Sequence, residues 1–472
     1  MVEQSNTPTI LVVLGATGDL MARKIIPSLH HLFRAEKLPL RFKVIGFARR
    51  DLTDDVFHRH VADQLHSDTS SLHEFLGLFS YHRGEFHDPS GYQRLIDRLR
   101  ALDGELGGFS NKLFYLATPP DLYEEIFKQL ASSGLAGRTA EGDAKTGWTR
   151  VIVEKPFGRD SATAERLDVM LGSLFHEAQI YRVDHYLAKE MVQNILSFRF
   201  SNNLFEALWS GEFIESIEVR LWETLGVEKR GAFYDALGAL RDVGQNHLLQ
   251  MLALVIMEHP TEFSPAAIRT KRAEALRTLP QLTIDEVAEG TRRAQYSTYR
   301  TIEGVDPNSN TETYFRIGAF LNSARWQNVP IILEGGKRLR ETRKEIVVQF
   351  RHREPCLCPG SEHYKNRVVI SLEPEEAIKI EFWAKRPGHR YELQSRSFDF
   401  LLRGEHARVQ YIEEYEKLLL DAISGDQTLF VSTAEVKAMW RFIDPVTSAW
   451  SRDVVPLEIY EPDRFPINSL YT

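Results

Sequence analysis

The alternation of short apolar runs with amphipathic stretches from Thr9 to Tyr181 constrains this chain more than any single motif. Thr9–Leu14 (TILVVL) is a continuous apolar run with β-branched members, as expected of a strand buried on both faces. It ends in Gly15-Ala16-Thr17-Gly18-Asp19, and LMARKIIPSLHHLF follows with apolar residues at helical spacing. Lys43–Ala48 (KVIGFA), Leu76–His82, Lys112–Ala117 (KLFYLA), Arg150–Val153 (RVIV) and Ala178–Tyr181 (AQIY) read as further strands. Helices are expected at Gly91–Leu102 and, after the stop at Pro119-Pro120, at Leu122–Ser132. The small polar run Gly134–Gly147 reads as a surface loop. Repetition of this kind predicts a mostly parallel, doubly wound sheet with right-handed crossovers.

The first strand, its Gly-rich turn and the helix behind it form the context of a dinucleotide-binding loop. Glycines let the backbone approach a pyrophosphate, and the helix N-terminus offers free N–H groups. The pattern here is GxxGD rather than GxGxxG. A protein that prefers NAD places an acid after the second strand, to hold the ribose 2′-hydroxyl. Here that strand runs into Arg49-Arg50, which suits a 2′-phosphate, and Lys24 adds charge nearby. NADP is the expected cofactor, with NAD the weaker alternative. The competing reading makes the arginines a solvated pair on a loop.

Two later stretches follow strand ends, where open α/β sheets bind ligands. Glu154-Lys155-Pro156-Phe157-Gly158 places Lys155 beside the expected nicotinamide cleft. Arg182–Glu190 (RVDHYLAKE) puts Asp184, His185, Tyr186 and Lys189 where a strand hands over to a helix. Those side chains can hold an anion such as phosphate. Both stretches also admit a plain reading as solvated turns.

The pattern changes near Ser197. Ile217–Leu221, Tyr314–Leu321, Val329–Glu334, Glu345–Arg351, Arg367–Leu372 and Ala377–Trp383 are strand-like with few helices between the later ones, which predicts a mainly antiparallel sheet. Ala239–Met257 reads as a buried helix carrying Asp242 and His247, groups that are costly to bury unless paired or facing a polar cleft. Tyr411–Ile423 and Thr433–Trp440 read as further helices. At 472 residues, two large domains are expected, divided as 1–185 and 186–472. The net charge of −8 argues against a nucleic-acid partner. The apolar runs are too short for a membrane span, and the N-terminus lacks the features of a signal peptide. Cys356 and Cys358 are the 2 cysteines; with His352 and His363 nearby they form no convincing metal site, so reduced thiols in a cytoplasmic enzyme are expected.

GATGDLMARK, GFARR, EKPFG, RVDHYLAKE, ETLGVEKRGAFYDALGALRDVGQNHLLQM and YEKLLLDAISGD, in this order, resemble the glucose-6-phosphate dehydrogenase family over almost the whole chain. The resemblance implies an N-terminal Rossmann domain and a β+α domain with a large antiparallel sheet that pairs two copies, so a homodimer or homotetramer is expected. It implies oxidation of the sugar phosphate at C1 to 6-phosphogluconolactone, with hydride transfer to NADP and no metal. It makes His247 the general base and Asp184 its orienting partner. His185, Tyr186 and Lys189 would hold the phosphate, and Lys155 would touch both sugar and cofactor. Glu223, Asp242 and Lys337 would bind the sugar, and Gly15, Thr17, Gly18, Asp19, Leu20, Lys24 and Arg49 the dinucleotide.

Four positions depart from the family pattern. Ala188 replaces a usual glycine, Glu334 a usual arginine, Thr342 a basic residue and Glu373 a usual glutamine. The last three are expected on the pocket side of the second domain. Two alternatives remain open at this point: a sugar dehydrogenase of the Gfo/Idh/MocA type, and a non-catalytic NADP-binding paralogue.

Overall fold

The computed structural model describes residues 7–65, 71–137, 147–352, 364–402 and 413–466. Cys356, Cys358 and His363, much of the loop expected at 134–147, and the start of the helix expected from Tyr411 fall outside those residues.

Two sheets organise the chain. The first contains strands β1 (Thr9–Leu14), β2 (Phe42–Ala48), β3 (Phe79–Arg83), β4 (Asn111–Leu116), β5 (Thr149–Val153) and β6 (Ile180–Val183). These six are parallel, in the order β6-β5-β4-β1-β2-β3. β1 is buried at every residue because helices cover both faces, which explains its unbroken apolar sequence. Helices Pro89–Glu105 and Tyr123–Ser132 stand where they were expected. Two boundaries differ. The strand placed at Leu76–His82 begins at Phe79, because Leu72–Leu76 coils into a short helix that buries Phe75. The strand placed at Ala178–Tyr181 begins at Ile180, after a 3₁₀ turn capped by His176.

The second sheet contains β7 (Ile214–Trp222), β8 (Thr291–Tyr296), β9 (Tyr314–Phe320), β10 (Pro330–Gly336), β11 (Arg343–Phe350), β12 (Arg367–Glu373), β13 (Ala377–Lys385) and β14 (Leu393–Leu401). After β15 (Phe430–Val431), which belongs to the first sheet, β16 (Leu457–Tyr460) completes it. The order is β14-β13-β12-β11-β7-β10-β9-β8-β16, antiparallel except where β10 runs with β7 and β16 with β8. The architecture is therefore a Rossmann-type parallel sheet followed by a β+α part with a mainly antiparallel sheet.

One helix joins the chemistry to this frame. It runs from Leu240 to Ile256, wound as a π-helix over Leu240–Leu248 and as an α-helix thereafter. Wide π turns are frequent at functional sites. The apolar half, Leu248–Met257, is buried throughout. On one side the helix lies against β7 and β10. The approach is close: a Cβ on Gly335 would stand 2.8 Å from Phe315 and 3.2 Å from Val243. The other side meets helices Pro265–Arg277 and Thr433–Ser451.

The end of the chain returns to the first sheet. β15 pairs antiparallel with β6. Arg150 on β5 donates to the carbonyls of Ala422 (2.8 Å) and Ile423 (2.9 Å), and Trp440 donates to Phe157 O at 3.0 Å. No helix among the described residues is long and apolar enough to cross a membrane.

Candidate active site

The run after β6 folds as a turn, Asp184 to Ala188, before the helix Glu190–Phe200 begins. Asp184 is buried, and its Oδ1 accepts the Tyr186 N–H at 3.0 Å. The same oxygen meets Nδ1 of His247, on the π-wound helix, at 2.5 Å. Lys155, at the end of β5, donates to Nε2 of the same imidazole at 3.0 Å and to Asp242 O at 2.9 Å. These partners assign the tautomer: Nδ1 carries the proton toward Asp184, and Nε2 presents its lone pair to the Lys155 ammonium. The Asp242 carboxylate stands 3.7 Å from the Lys155 ammonium.

Aromatic rings close the imidazole off. Tyr186 stacks on it at 4.1 Å between centroids, and His185 meets it edge-on at 4.7 Å. Burial first, and then the Lys155 ammonium, hold His247 well below the usual imidazole range. Burial and the neighbouring His247 depress His185 in the same way. Burial pushes Asp184 up. It would raise Asp242 as well, but Lys155 and Lys337 outweigh it and hold that carboxyl low. A buried imidazole with a carboxylate on one nitrogen, and on the other a lone pair held only by an ammonium that a hydroxyl can displace, is suited to act as a general base.

Asp184, His185 and His247 also have ligand atoms within 4.8 Å of one another, a spacing that suits a metal. Both nitrogens of His247 are already engaged, however, and one of its partners is an ammonium, which repels a cation.

The second sheet supplies the opposite wall. Glu223, just after β7, accepts Lys337 at 2.6 Å and stands 3.6 Å from Lys344. Lys344 also donates to Glu373 at 2.9 Å. The Tyr186 phenol is held up by burial, then by Glu223 and Glu373, which ties this wall to the imidazole. Lys344 was missed by the sequence reading. Strand alternation was the signal available: Ile346 and Val348 are buried against the helices, so Lys344 points the same way.

The departures separate accordingly. Glu373 lies in the wall, and the Thr342 hydroxyl meets the Thr224 hydroxyl at 3.0 Å next to Glu223. Glu334 does not face the pocket as expected. It pairs in register with Arg220 and Arg316, and accepts the Tyr314 hydroxyl at 2.6 Å on the sheet face away from the site helix. Arg343 likewise turns to Glu341 at 2.8 Å and lies over the Trp222 ring.

Lys189 projects toward the start of helix Glu414–Ser424, where Glu414 accepts its ammonium at 2.8 Å. Only the fold brings Glu414 here, from a part of the chain remote from Lys189.

At the end of β1, Gly15 has φ +97°, and a Cβ there would stand 2.4 Å from Ala117 O. Gly18 donates to Gly15 O at 2.9 Å, turning the backbone into the helix that begins at Asp19. Thr17 and Leu20 are half-buried beside this turn, and Asp19 is exposed, 3.8 Å from Arg23. The cradle has room only for glycine, and it fits a dinucleotide pyrophosphate. Arg49 is exposed at the end of β2 and makes no ion pair among the described residues. Lys24, by contrast, is bonded to Glu413 and lies over the Tyr415 ring. Arg49, like its neighbour Arg50, is an uncommitted cation at this end among the described residues.

Two family profiles match the chain, one after the other: the NAD binding domain of glucose-6-phosphate dehydrogenase over residues 12–194 and the C-terminal domain over residues 196–466. The chain belongs to the glucose-6-phosphate dehydrogenase family. It is 39% identical over 450 residues to glucose-6-phosphate 1-dehydrogenase of Aggregatibacter actinomycetemcomitans, covering 92% of this chain and 90% of that protein. With the same enzyme of Chlamydia muridarum the identity is 36% over 463 residues, covering 94% and 91%. The structure of a glucose-6-phosphate dehydrogenase in complex with its substrate glucose-6-phosphate superposes with a TM-score of 0.90 at 33% identity, covering 99% of this chain and 97% of that one. Levoglucosan dehydrogenase, at 11% identity and a TM-score of 0.50, shares the fold alone. Membership brings an enzyme with a nicotinamide-dinucleotide domain. The geometry above is what this member of the family offers its ligands.

Proposed function

We propose that the chain oxidises C1 of glucose 6-phosphate to 6-phosphogluconolactone with NADP as hydride acceptor, the first step of the oxidative pentose phosphate pathway. The observation that carries this reading is the buried Asp184–His247 pair, 2.5 Å apart, with Nε2 turned to the cleft beside Lys155. Nε2 would take the proton of the C1 hydroxyl, and a nicotinamide held by the Gly15–Gly18 turn would supply the acceptor for the C1 hydride. The imidazolium that forms is opposed by burial and by Lys155, and the Asp184 carboxylate offsets that cost. Lys155 leaves Nε2 as the hydroxyl arrives and keeps Asp242 O as its anchor. His185, Tyr186 and Lys189 receive the phosphate, which takes the place of Glu414 on the Lys189 ammonium. Glu223, Asp242 and Lys337 bind the ring hydroxyls, and Arg49 reads the 2′-phosphate of NADP. Division near residue 185 into cofactor and substrate parts, and pairing of two copies through the second sheet, complete the reading. The pairing is supported by Phe398 and Phe400 on β14, 66% and 48% exposed.

The test is reduction of NADP and of NAD by the purified protein with glucose 6-phosphate, other hexose phosphates and free glucose. Rapid reduction only with glucose 6-phosphate and NADP is expected. Turnover of a different sugar keeps the chemistry and replaces the substrate. A protein that binds NADP yet reduces it with none of these sugars overturns the proposal.

A further inference from the structure

The wall contributed by the second sheet holds a chain of four alternating charges, Lys337–Glu223–Lys344–Glu373. Lys344 is the member of this chain that no motif in the sequence announces. Lys344 and Glu373 face each other across β11 and β12, where the register shifts between Lys344 and Glu345. The lysine side chain is 12% exposed and the glutamate side chain 36%. The ammonium is thus largely withdrawn from water, while the carboxylate stays partly open to solvent. Lys344 shares one face of β11 with Ile346 and Val348, the face of the sheet on which the His247 helix packs, and from there the charges of Lys344 and Glu373 act on the His247 imidazole and the Tyr186 phenol.

The charge balance decides what such a wall can bind. Two ammonium groups and two carboxylates sum to zero, and a phosphate placed among them would meet both carboxylates at close range. A sugar hydroxyl is different, because it donates to a carboxylate and accepts from an ammonium at once. Two hydroxyls on neighbouring carbons match an ammonium and a carboxylate held side by side. We infer that Lys344 and Glu373 form a subsite that reads adjacent ring hydroxyls, and that this pair sets which sugar the enzyme accepts. The inference rests on the dehydrogenase reading above. It also gives the departures at Thr342 and Glu373 a common explanation: the cation is supplied two residues further along β11, and the acid at 373 is its partner.

The test compares wild type with Lys344→Met, Lys344→Arg and Glu373→Gln. The readouts are KM and kcat for glucose 6-phosphate, the affinity for free glucose as substrate or competitor, and the preference over 2-deoxyglucose 6-phosphate and galactose 6-phosphate. Lys344→Met should raise KM for glucose 6-phosphate about 10-fold or more while kcat changes little, since an ammonium bonded to hydroxyl is lost from a partly buried site. Free glucose should lose affinity by the same factor, and the preference over the two analogues should shrink. Glu373→Gln should shrink that preference as well, and Lys344→Arg should restore most of the affinity. Unchanged KM and unchanged preference, with only the melting temperature lowered, would make the pair a strut of the sheet and overturn the inference. A loss confined to phosphorylated sugars would assign Lys344 to the phosphate and overturn it equally. A wild-type protein inert toward glucose 6-phosphate removes the dehydrogenase reading itself, and this inference with it, so the two failures are told apart by the wild-type assay.

Discussion

His247 works by being buried. Taking the imidazole out of water lowers its proton affinity, and the adjacent Lys155 lowers it further. The base form therefore survives below the ordinary imidazole pKa of about 6.5. The acid limb of kcat/KM should lie below pH 6.5, and Lys155→Met should move it upward; a wild-type limb above that value would contradict the geometry. The sign for stability is the same. A group whose folded pKa is depressed costs nothing above pH 6.5, and stability is lost as pH falls below it toward the folded value. His247→Asn should keep sugar and cofactor binding while turnover falls by roughly 10²- to 10⁴-fold, the usual contribution of a positioned base, as read from kcat and ligand titrations. At the cofactor end, Arg49 has no partner of its own among the described residues to satisfy. Arg49→Ala should raise KM for NADP by about 10-fold or more and leave NAD nearly unaffected, as expected when a charge-assisted bond to phosphate is lost. Steady-state kinetics with both cofactors would decide this.

Among the elements, the turn after β1 shows how little freedom a ligand cradle has. Gly15→Ala would force a side chain into a positive-φ conformation and against Ala117 O, 2.4 Å away. The conformational part alone costs about 1–2 kcal/mol. Denaturant unfolding should register a larger loss, and cofactor affinity should fall with it. Such turns are legible in sequence because glycine, strand and helix signals coincide. The buried strands were legible for a related reason: TILVVL and RVIV are covered on both faces and leave little room for polar residues. β8 and β14 were not anticipated. LQSRSFDFL lies at the sheet edge, where polar side chains reach water and the apolar pattern dissolves. TRRAQY is buried, but its Arg293 and Gln295 are bonded internally, to Val455 O and Asp453 and to the carbonyls of Ser309 and Thr311, so a buried strand carries no apolar run. The site followed the same division. Asp242 and His247 stood out as polar groups on an apolar helix, and Asp184 as part of the polar run that follows a strand. Arg343 adjoins Thr342, yet strand alternation turns it outward, toward Glu341 and Trp222, and Lys344 inward. Glu414 carried no signal, since its meaning depends on a lysine in a distant part of the chain.

For the whole molecule, the returning C-terminal segment matters most. Arg272 on helix Pro265–Arg277 is 1% exposed and binds Glu435 at 2.8 Å, Thr428 O at 2.7 Å and Phe430 O at 2.8 Å. It anchors β15 and the start of helix Thr433–Ser451 together. Arg272→Ala leaves the Glu435 carboxylate buried without its charge partner, which costs about 3–5 kcal/mol. Urea titration should show that loss as a lower midpoint. β15 itself has a further consequence. It forms the edge of the first sheet, beside the strand that carries Asp184 into the site. A chain emerging from the ribosome will therefore have made every cofactor-binding strand long before the segment that seals them arrives. The nascent protein carries an open β edge until synthesis is nearly complete, and a transcript cut short ahead of Phe430 would leave that edge exposed to any neighbouring chain.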